Sequence, residues 1–297
     1  DITISENASG MGGSQVFLEA GGIYKASELI KSIIVSSAND SSVAIAERLY
    51  GSEDIAVDAM NERAKELCLN DTLFSNCTGL TRPTQYSSAK DVAIMLSELV
   101  KHEKYFLFSK IYLDEIEHNG GRKTQMTNTN KLVKFYNGCD GGKTGFTNEA
   151  GFCLAATAKR GTTRLIGVVI GEADSKKRFG DCSSLLDYGF NNFTSKCVLT
   201  NNEASDYQAE VSGGKKGFVS VAPEENVYVF GRKNEKENIK IHCILNDDIK
   251  APLKKGDVIG KFIVYKDNVK FAEKNAVCFE GVERKTYGDY LKEITEY

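Results

Sequence analysis

The sequence predicts an α+β fold in two unequal parts: a body that combines an antiparallel sheet with a helical subdomain, then a small all-β domain. Three observations carry this. Apolar residues recur at helical spacing through most of the first hundred positions; after residue 140 the spacing becomes that of paired strands; and from about Lys196 the chain turns into short runs rich in Val, Ile, Phe and Tyr between polar turns. The implied boundaries are 1–194, 195–282, and 283–297 for a charged tail or linker.

Residues 26–35 place Leu29, Ile30, Ile33 and Ile34 on one helical face, and residues 39–50 do the same with Val43, Ala46 and Leu49. The polar turn Ser36-Ser37-Ala38-Asn39 separates them. Gly51 stops the second helix, and Ser52-Glu53-Asp54 starts a third that runs to about Leu67, its acidic first turn matching the positive helix end. Ser88 opens a fourth through a Ser-x-x-Asp capping box with Asp91, continued by Val92, Leu96 and Leu99. Phe152–Ala158 and Arg164–Ile170 read as two strands joined by Lys159-Arg160-Gly161-Thr162, a hairpin, and Ser183–Phe190 reads as a helix. In the last fifteen residues Leu291, Ile294 and Tyr297 make at most a weak apolar stripe.

A chain of 297 residues exceeds the common single-domain size, which favours two domains, and 41% apolar residues suffice for a buried core. Thirty-eight basic residues against 41 acidic ones, with no long block of one sign, leave no footprint for nucleic acid. No run approaches the roughly 20 apolar residues of a membrane span. The eight cysteines show no CxxC spacing and no histidine cluster, which argues against zinc; Cys68, within Glu66-Leu67-Cys68-Leu69, reads as a small buried thiol, and free cysteines are favoured over disulfides. His102, His118 and His242 are scattered and read as surface or structural.

Two short motifs stand out: Ser37-Ala38-Asn39 between two helices, and Lys143-Thr144-Gly145 on a strand entering the hairpin. Each is weak alone. Ser37 and Asn39 suit a turn and a helix start, Lys143 an ordinary exposed lysine protonated at neutral pH, Arg178 a surface arginine, and Thr144 and Thr147 plain strand threonines. Their order and setting carry more. Ser-x-Asn after a helix, followed by Lys-Thr-Gly about a hundred residues later, resembles the motif set of penicillin-binding proteins and β-lactamases. The likeness extends through Gly142–Gly151, which resembles a Lys-Thr-Gly-x-Thr-x-x-Ala-Gly segment, through Tyr86-Ser87-Ser88-Ala89-Lys90-Asp91, and through Ala251–Gly260, which is similar to part of the C-terminal β domain of low-molecular-mass D-alanyl-D-alanine carboxypeptidases. About Ile4 to Phe271 is covered. A class A β-lactamase is not expected to carry that second domain.

The resemblance implies a penicillin-binding/β-lactamase-like catalytic domain and a serine-type carboxypeptidase that acts on peptidoglycan pentapeptides through an acyl-enzyme, binds β-lactam antibiotics and needs no cofactor. Ser37 would relay a proton to the leaving amine and Asn39 would hold the substrate amide or the general-base lysine. Lys143 would supply positive charge for a carboxylate and for the serine cluster. Thr144, Gly145, Phe146 and Thr147 would line the substrate strand, Gly145 admitting a peptide backbone and the Phe146 amide donating to an oxyanion. Arg178 aligns with an arginine that binds the substrate's terminal carboxylate. The implied location is the bacterial cell envelope outside the cytoplasmic membrane, with peripheral membrane association.

The family's nucleophile lies in Ser-x-x-Lys, whose spacing puts both side chains on one helical face. The chain has two literal matches, Ser87-Ser88-Ala89-Lys90 and Ser212-Gly213-Gly214-Lys215. Ser87 and Lys90 fall opposite the apolar face of their helix and should point to solvent; the second match holds two glycines in the β domain. The expectation is therefore a nucleophile upstream of Asp1, on the full-length protein or on a separate N-terminal chain. The alternative is a peptidoglycan- or penicillin-binding module that lacks one.

Overall fold

The computed structural model describes residues 1–235 and 238–295, in two compact units, Asp1–Asn191 and Asn192–Tyr297. The first unit opens with β1 (Ile2–Thr3), the short α1 (Glu6–Ser9) and β2 (Ile23–Tyr24), which pairs antiparallel with β1. Helices α2 (Ala26–Ser36), α3 (Asn39–Tyr50) and α4 (Glu53–Glu66) follow, then α5 (Ala89–Leu99) and the short α6 (Phe106–Ser109). β3 (Leu113–Glu117) and β4 (Lys123–Thr127) form a hairpin, and α7 (Leu132–Phe135) leads into β5 (Cys139–Thr147), β6 (Gly151–Arg160) and β7 (Thr163–Glu172). These last three form an antiparallel sheet in sequence order, so β5 is an edge strand of the described sheet. α8 (Ser175–Asn192) closes the unit.

Local signals place the helix starts well. Ser52 Oγ accepts the Ile55 amide and Ser88 Oγ the Asp91 amide, each satisfying a donor that a helix N-terminus leaves unpaired. Only half of the expected capping box forms, because the Asp91 carboxylate turns inward to accept the Asp71 amide and the Thr72 hydroxyl. The burial faces differ more. Leu29 and Val35 are buried, but Ile30 is 39% exposed; in α3 Val43 and Ala46 are buried while Leu49 is 68% exposed; and Leu99 is exposed in α5. For α2 and α3 the reason is the seam between them, made by two fully buried serines, Ser32 Oγ donating to Ser41 Oγ at 2.6 Å. Small hydroxyl residues let the helices approach, and this turns the larger aliphatics outward.

The predicted hairpin forms, with Gly161 at φ 59° in its turn. α8 begins two turns before the expected Ser183. Its buried stripe is Arg178, Cys182, Leu186 and Phe190 at four-residue spacing, and an arginine at its head hides the start from a hydrophobicity reading. Cys182, Leu186 and Phe190 pack on Leu154, Ala156 and Ala158 of β6. A second cluster joins Ile2, Val16, Leu18 and Tyr24 to Leu29, Val35, Val43, Ile116 and Met126. All eight cysteines are free; Cys139, Cys182 and Cys278 are buried, whereas Cys68, expected inside, is exposed at φ 55°. His118 is buried between Tyr24 Oη and Thr124 Oγ1, a structural role.

The second unit is all strand until its last residues: β8 (Phe193–Leu199), β9 (Gln208–Glu210), β10 (Phe218–Pro223), β11 (Val227–Arg232), β12 (Ile239–Leu245), β13 (Val258–Lys266) and β14 (Val269–Cys278). β8 pairs with β11, and the others form a sheet in the order β12-β13-β14-β10-β9 around Phe262, Val219, Val221, Val264 and Ala276. The closing stretch read as a tail or linker is helical over α9 (Tyr287–Thr295), with Tyr287, Tyr290, Leu291 and Ile294 exposed; Tyr297 lies outside the described residues. Among the described residues no helix is long and apolar enough to cross a membrane.

Candidate active site

Ser37 ends α2 in the left-handed conformation, φ 62° and ψ 39°, its amide bonded to the Ile33 carbonyl. This places its hydroxyl at the mouth of the α2–α3 turn. Lys143 lies 106 residues later on the edge strand β5, and its Nζ donates to Ser37 Oγ at 2.6 Å and to the Thr144 carbonyl at 2.7 Å. Solvent touches Lys143 along the open edge, yet protein surrounds its ammonium end. Desolvation, aided by the nearby Arg178 cation, pushes its pKa down to about 8. Lys143 is therefore not the ordinary lysine that its residue type alone implies. That value still lies above neutrality, so the charged form predominates at pH 7.

Asn39 is the first residue of α3 and is 6% exposed. The loop at Gly12–Ser14 holds it twice: Asn39 Nδ2 donates to the Gly12 carbonyl at 2.8 Å, and its backbone amide to the Ser14 carbonyl at 2.7 Å. Gly13 closes this cradle, since a Cβ there would lie 2.7 Å from Asn39 Nδ2. Asp40, next in the chain and fully buried, accepts the Val16 and Leu18 amides and so fixes the same loop. On the other rim, Thr81 Oγ1 donates to Glu149 Oε2 at 3.0 Å, tying a loop to the β5–β6 turn.

Along β5, Thr144 is half-buried and Gly145 stands where an added Cβ would meet only Cys153, at 3.8 Å. Phe146 is 55% exposed with its ring 4.3 Å from that of Phe152. The Thr147 hydroxyl accepts the Ala150 amide at 3.0 Å, a turn contact. Arg178 is not a surface arginine: it is 8% exposed and reaches from α8 to the back of this strand, Nη1 donating to the Gly145 carbonyl at 3.2 Å and to the Cys153 carbonyl at 3.3 Å. Its Nε is buried without a partner, its cation lies over the Phe179 ring at 4.8 Å, and burial pushes its pKa down.

The structure thus joins Ser37 to Lys143 and Arg178 to Gly145, and lays Thr144–Thr147 along one open edge. An unpaired strand edge is suited to an extended peptide, which adds as a further strand. A cavity of about 460 Å³ lies in the second unit, lined by Phe193, Phe230, Arg232 and Lys266, and contains none of these groups. The two Ser-x-x-Lys matches have other settings. Ser87 and Lys90 are exposed, with Ser87 Oγ 2.9 Å from Thr72 Oγ1, and Lys215 pairs with Glu283 in the second unit at 2.7 Å. Sequence reasoning missed the Gly12–Ser14 cradle and Asp40; the glycines at 12 and 13 were the only local sign of a close approach.

Comparison with known proteins shows the family of the chain. Residues 1–174 match the D-alanyl-D-alanine carboxypeptidase family model, peptidase S11, and residues 193–284 match the penicillin-binding protein 5 C-terminal domain. D-alanyl-D-alanine carboxypeptidase DacF of Bacillus subtilis is 39% identical over 292 residues, covering 98% of this chain and 75% of that protein. DacC of Escherichia coli is 31% identical, covering 95% and 70%. Among solved structures, penicillin-binding protein 5 of Haemophilus influenzae superposes with a TM-score of 0.67 at 30% identity, covering 95% of this chain and 83% of that one. The PBP3 of Streptococcus pneumoniae gives 0.76 at 26% identity, covering 95% and 85%. With both units matched and an edge strand that brings Lys143 onto Ser37, the chain belongs to the D-alanyl-D-alanine carboxypeptidase family, the low-molecular-mass penicillin-binding proteins.

Proposed function

We propose that this protein removes the terminal D-alanine from peptidoglycan stem peptides as a serine-type carboxypeptidase of the bacterial cell envelope, and that β-lactams acylate the same site. The observation that carries the reading is the 2.6 Å contact between Lys143 Nζ and Ser37 Oγ beside an open strand edge. A serine oxygen adds to the carbonyl between the two D-alanines; the oxyanion receives the Phe146 amide; the C–N bond breaks as Ser37 passes a proton to the leaving amine; water then cleaves the ester. Lys143 sets the charge at this point, and Asn39, pinned by Gly12, holds the substrate amide or the lysine that takes the nucleophile's proton. Thr144, Gly145 and Thr147 lie along the strand that the peptide joins.

The nucleophile itself we assign to a Ser-x-x-Lys serine outside these 297 residues, on the full-length protein or a separate N-terminal chain. The settings of Ser87 and Ser212 support this. The exposed Tyr287, Tyr290, Leu291 and Ile294 of α9 are consistent with peripheral membrane association.

Arg178 supplies the test of substrate class. A guanidinium matches a free carboxylate through paired donors, which an esterified ligand lacks. Arg178→Ala in the full-length protein is expected to raise KM for peptides ending in free D-alanine by more than it slows acylation by penicillin esters, with D-alanine release and acylation measured side by side. Equal losses would return Arg178 to a purely structural support of the Gly145 carbonyl, and absence of both reactions in the wild type would sink the carboxypeptidase reading.

A further inference from the structure

Lys143 reaches Ser37 because of what precedes it on the strand. β5 carries one extra residue against β6: Cys139 faces Ala158 and Gly141 faces Thr157, so Asp140 is bulged out. A bulge bends a strand and re-aims the side chains that follow, leaving backbone groups that the ladder no longer pairs. Buried side chains from outside the sheet take those groups. Ser109 Oγ donates to the Asp140 carbonyl at 2.5 Å, Asn130 Nδ2 to the Gly141 carbonyl at 3.1 Å, and the Gly142 amide donates to Tyr105 Oη at 2.8 Å. Tyr105, Ser109 and Asn130 are 6%, 1% and 0% exposed.

The two glycines ahead of Lys143 are what this arrangement requires. A Cβ on Gly141 would lie 2.6 Å from Tyr105 Oη. Gly142 sits at φ 127°, and a Cβ there would lie 2.1 Å from the Ala155 carbonyl oxygen. The Asp140 side chain anchors the bulge from the sheet side, its two oxygens each 2.8 Å from an Arg164 guanidinium nitrogen.

We propose that Tyr105 is a positioning residue for Lys143: its hydroxyl, with Ser109 and Asn130, holds the bulge at Asp140–Gly142 that aims the ammonium at Ser37. The proposal rests on the carboxypeptidase reading for its kinetic test. Tyr105→Phe keeps the buried ring and removes only the atom that holds the Gly142 amide. In the full-length protein it is expected to lower both the rate of penicillin acylation and kcat on a D-alanyl-D-alanine peptide about tenfold, with KM within about twofold, since small misplacements of a reacting group act on the chemical step. On a Lys143→Ala background the same change is expected to leave penicillin acylation no slower than Lys143→Ala alone, because the group being aimed is gone. Equal losses on both backgrounds would overturn the proposal, as a general structural role would produce them. Should thermal unfolding show that Tyr105→Phe does not fold, Ser109→Ala replaces it in the same cycle with the same two outcomes. If the wild type neither hydrolyses nor acylates, the functional reading fails separately. The clamp is then decided by the titration of Lys143 in ¹⁵N-lysine NMR: a move toward the ordinary lysine range in Tyr105→Phe supports it, and an unchanged titration overturns it.

Discussion

Lys143→Ala is expected to lower turnover of a D-alanyl-D-alanine peptide by between about a hundredfold and a thousandfold, the usual loss when a preorganised electrostatic group is removed from a reaction centre. Stability should barely change. Lys143 is exposed along the strand edge, and the desolvation cost of its ammonium end offsets the two hydrogen bonds, to the Ser37 hydroxyl and the Thr144 carbonyl, that its removal loses. The wild-type pH profile carries the same logic. With the Lys143 pKa pushed down to about 8, the charged form that Ser37 and the substrate carboxylate meet is lost as pH rises through that value, so activity falls on the alkaline side. Wild-type-like hydrolysis by Lys143→Ala would remove this residue from the site.

One residue earlier, the opposite pattern is expected. Gly142→Ala places a Cβ at φ 127° and 2.1 Å from the Ala155 carbonyl oxygen, in the middle of the β5–β6 ladder. Disfavoured backbone and a core clash each cost about 1–3 kcal/mol, so a loss near 3 kcal/mol is expected. For a unit of this size that is a fall of about 10 °C in Tm. Activity should fall too, because relief of the clash requires β5 to shift and Lys143 to move with it. A variant with unchanged Tm would show that the bulge is not held as described. Neighbouring alanine substitutions thus separate the chemistry of the strand from its architecture.

What the sequence disclosed divides along the range of the interactions. Helix starts at Ser52 and Ser88 were legible because a cap is made within four residues. The faces of α2 and α3 were not, because their packing runs through Ser32 and Ser41, and a hydrophobicity pattern assigns serines to the solvent side. Arg178 broke the apolar stripe of α8 in the same way. Ser37 and Lys143 were found only through resemblance: nothing in their local sequence says that residues 106 apart share a hydrogen bond. Tyr105, Asn130 and Asp40 left no pattern at all, since a side chain that serves a distant backbone group has no required spacing to it. Gly13, Gly141 and Gly142 did mark two of the places where chain segments press together.

The proposed function is an acyl-enzyme formed on a Ser-x-x-Lys serine other than those of residues 1–297, with Ser37 and Lys143 serving it. Intact-mass measurement after incubation with penicillin, followed by peptide mapping, tests it most directly. Ser37 has Lys143 beside it, but a mostly protonated ammonium donating to its oxygen is a poor base for it, and Ser87 bonds only to a threonine hydroxyl at 2.9 Å. Residues 1–297 alone are expected to remain unmodified, while the full-length protein, or this chain joined by its N-terminal piece, gains one penicilloyl group on a serine followed three residues later by lysine. A one-to-one adduct on this chain mapped to Ser37 or Ser87 would contradict the account and make the chain a complete enzyme.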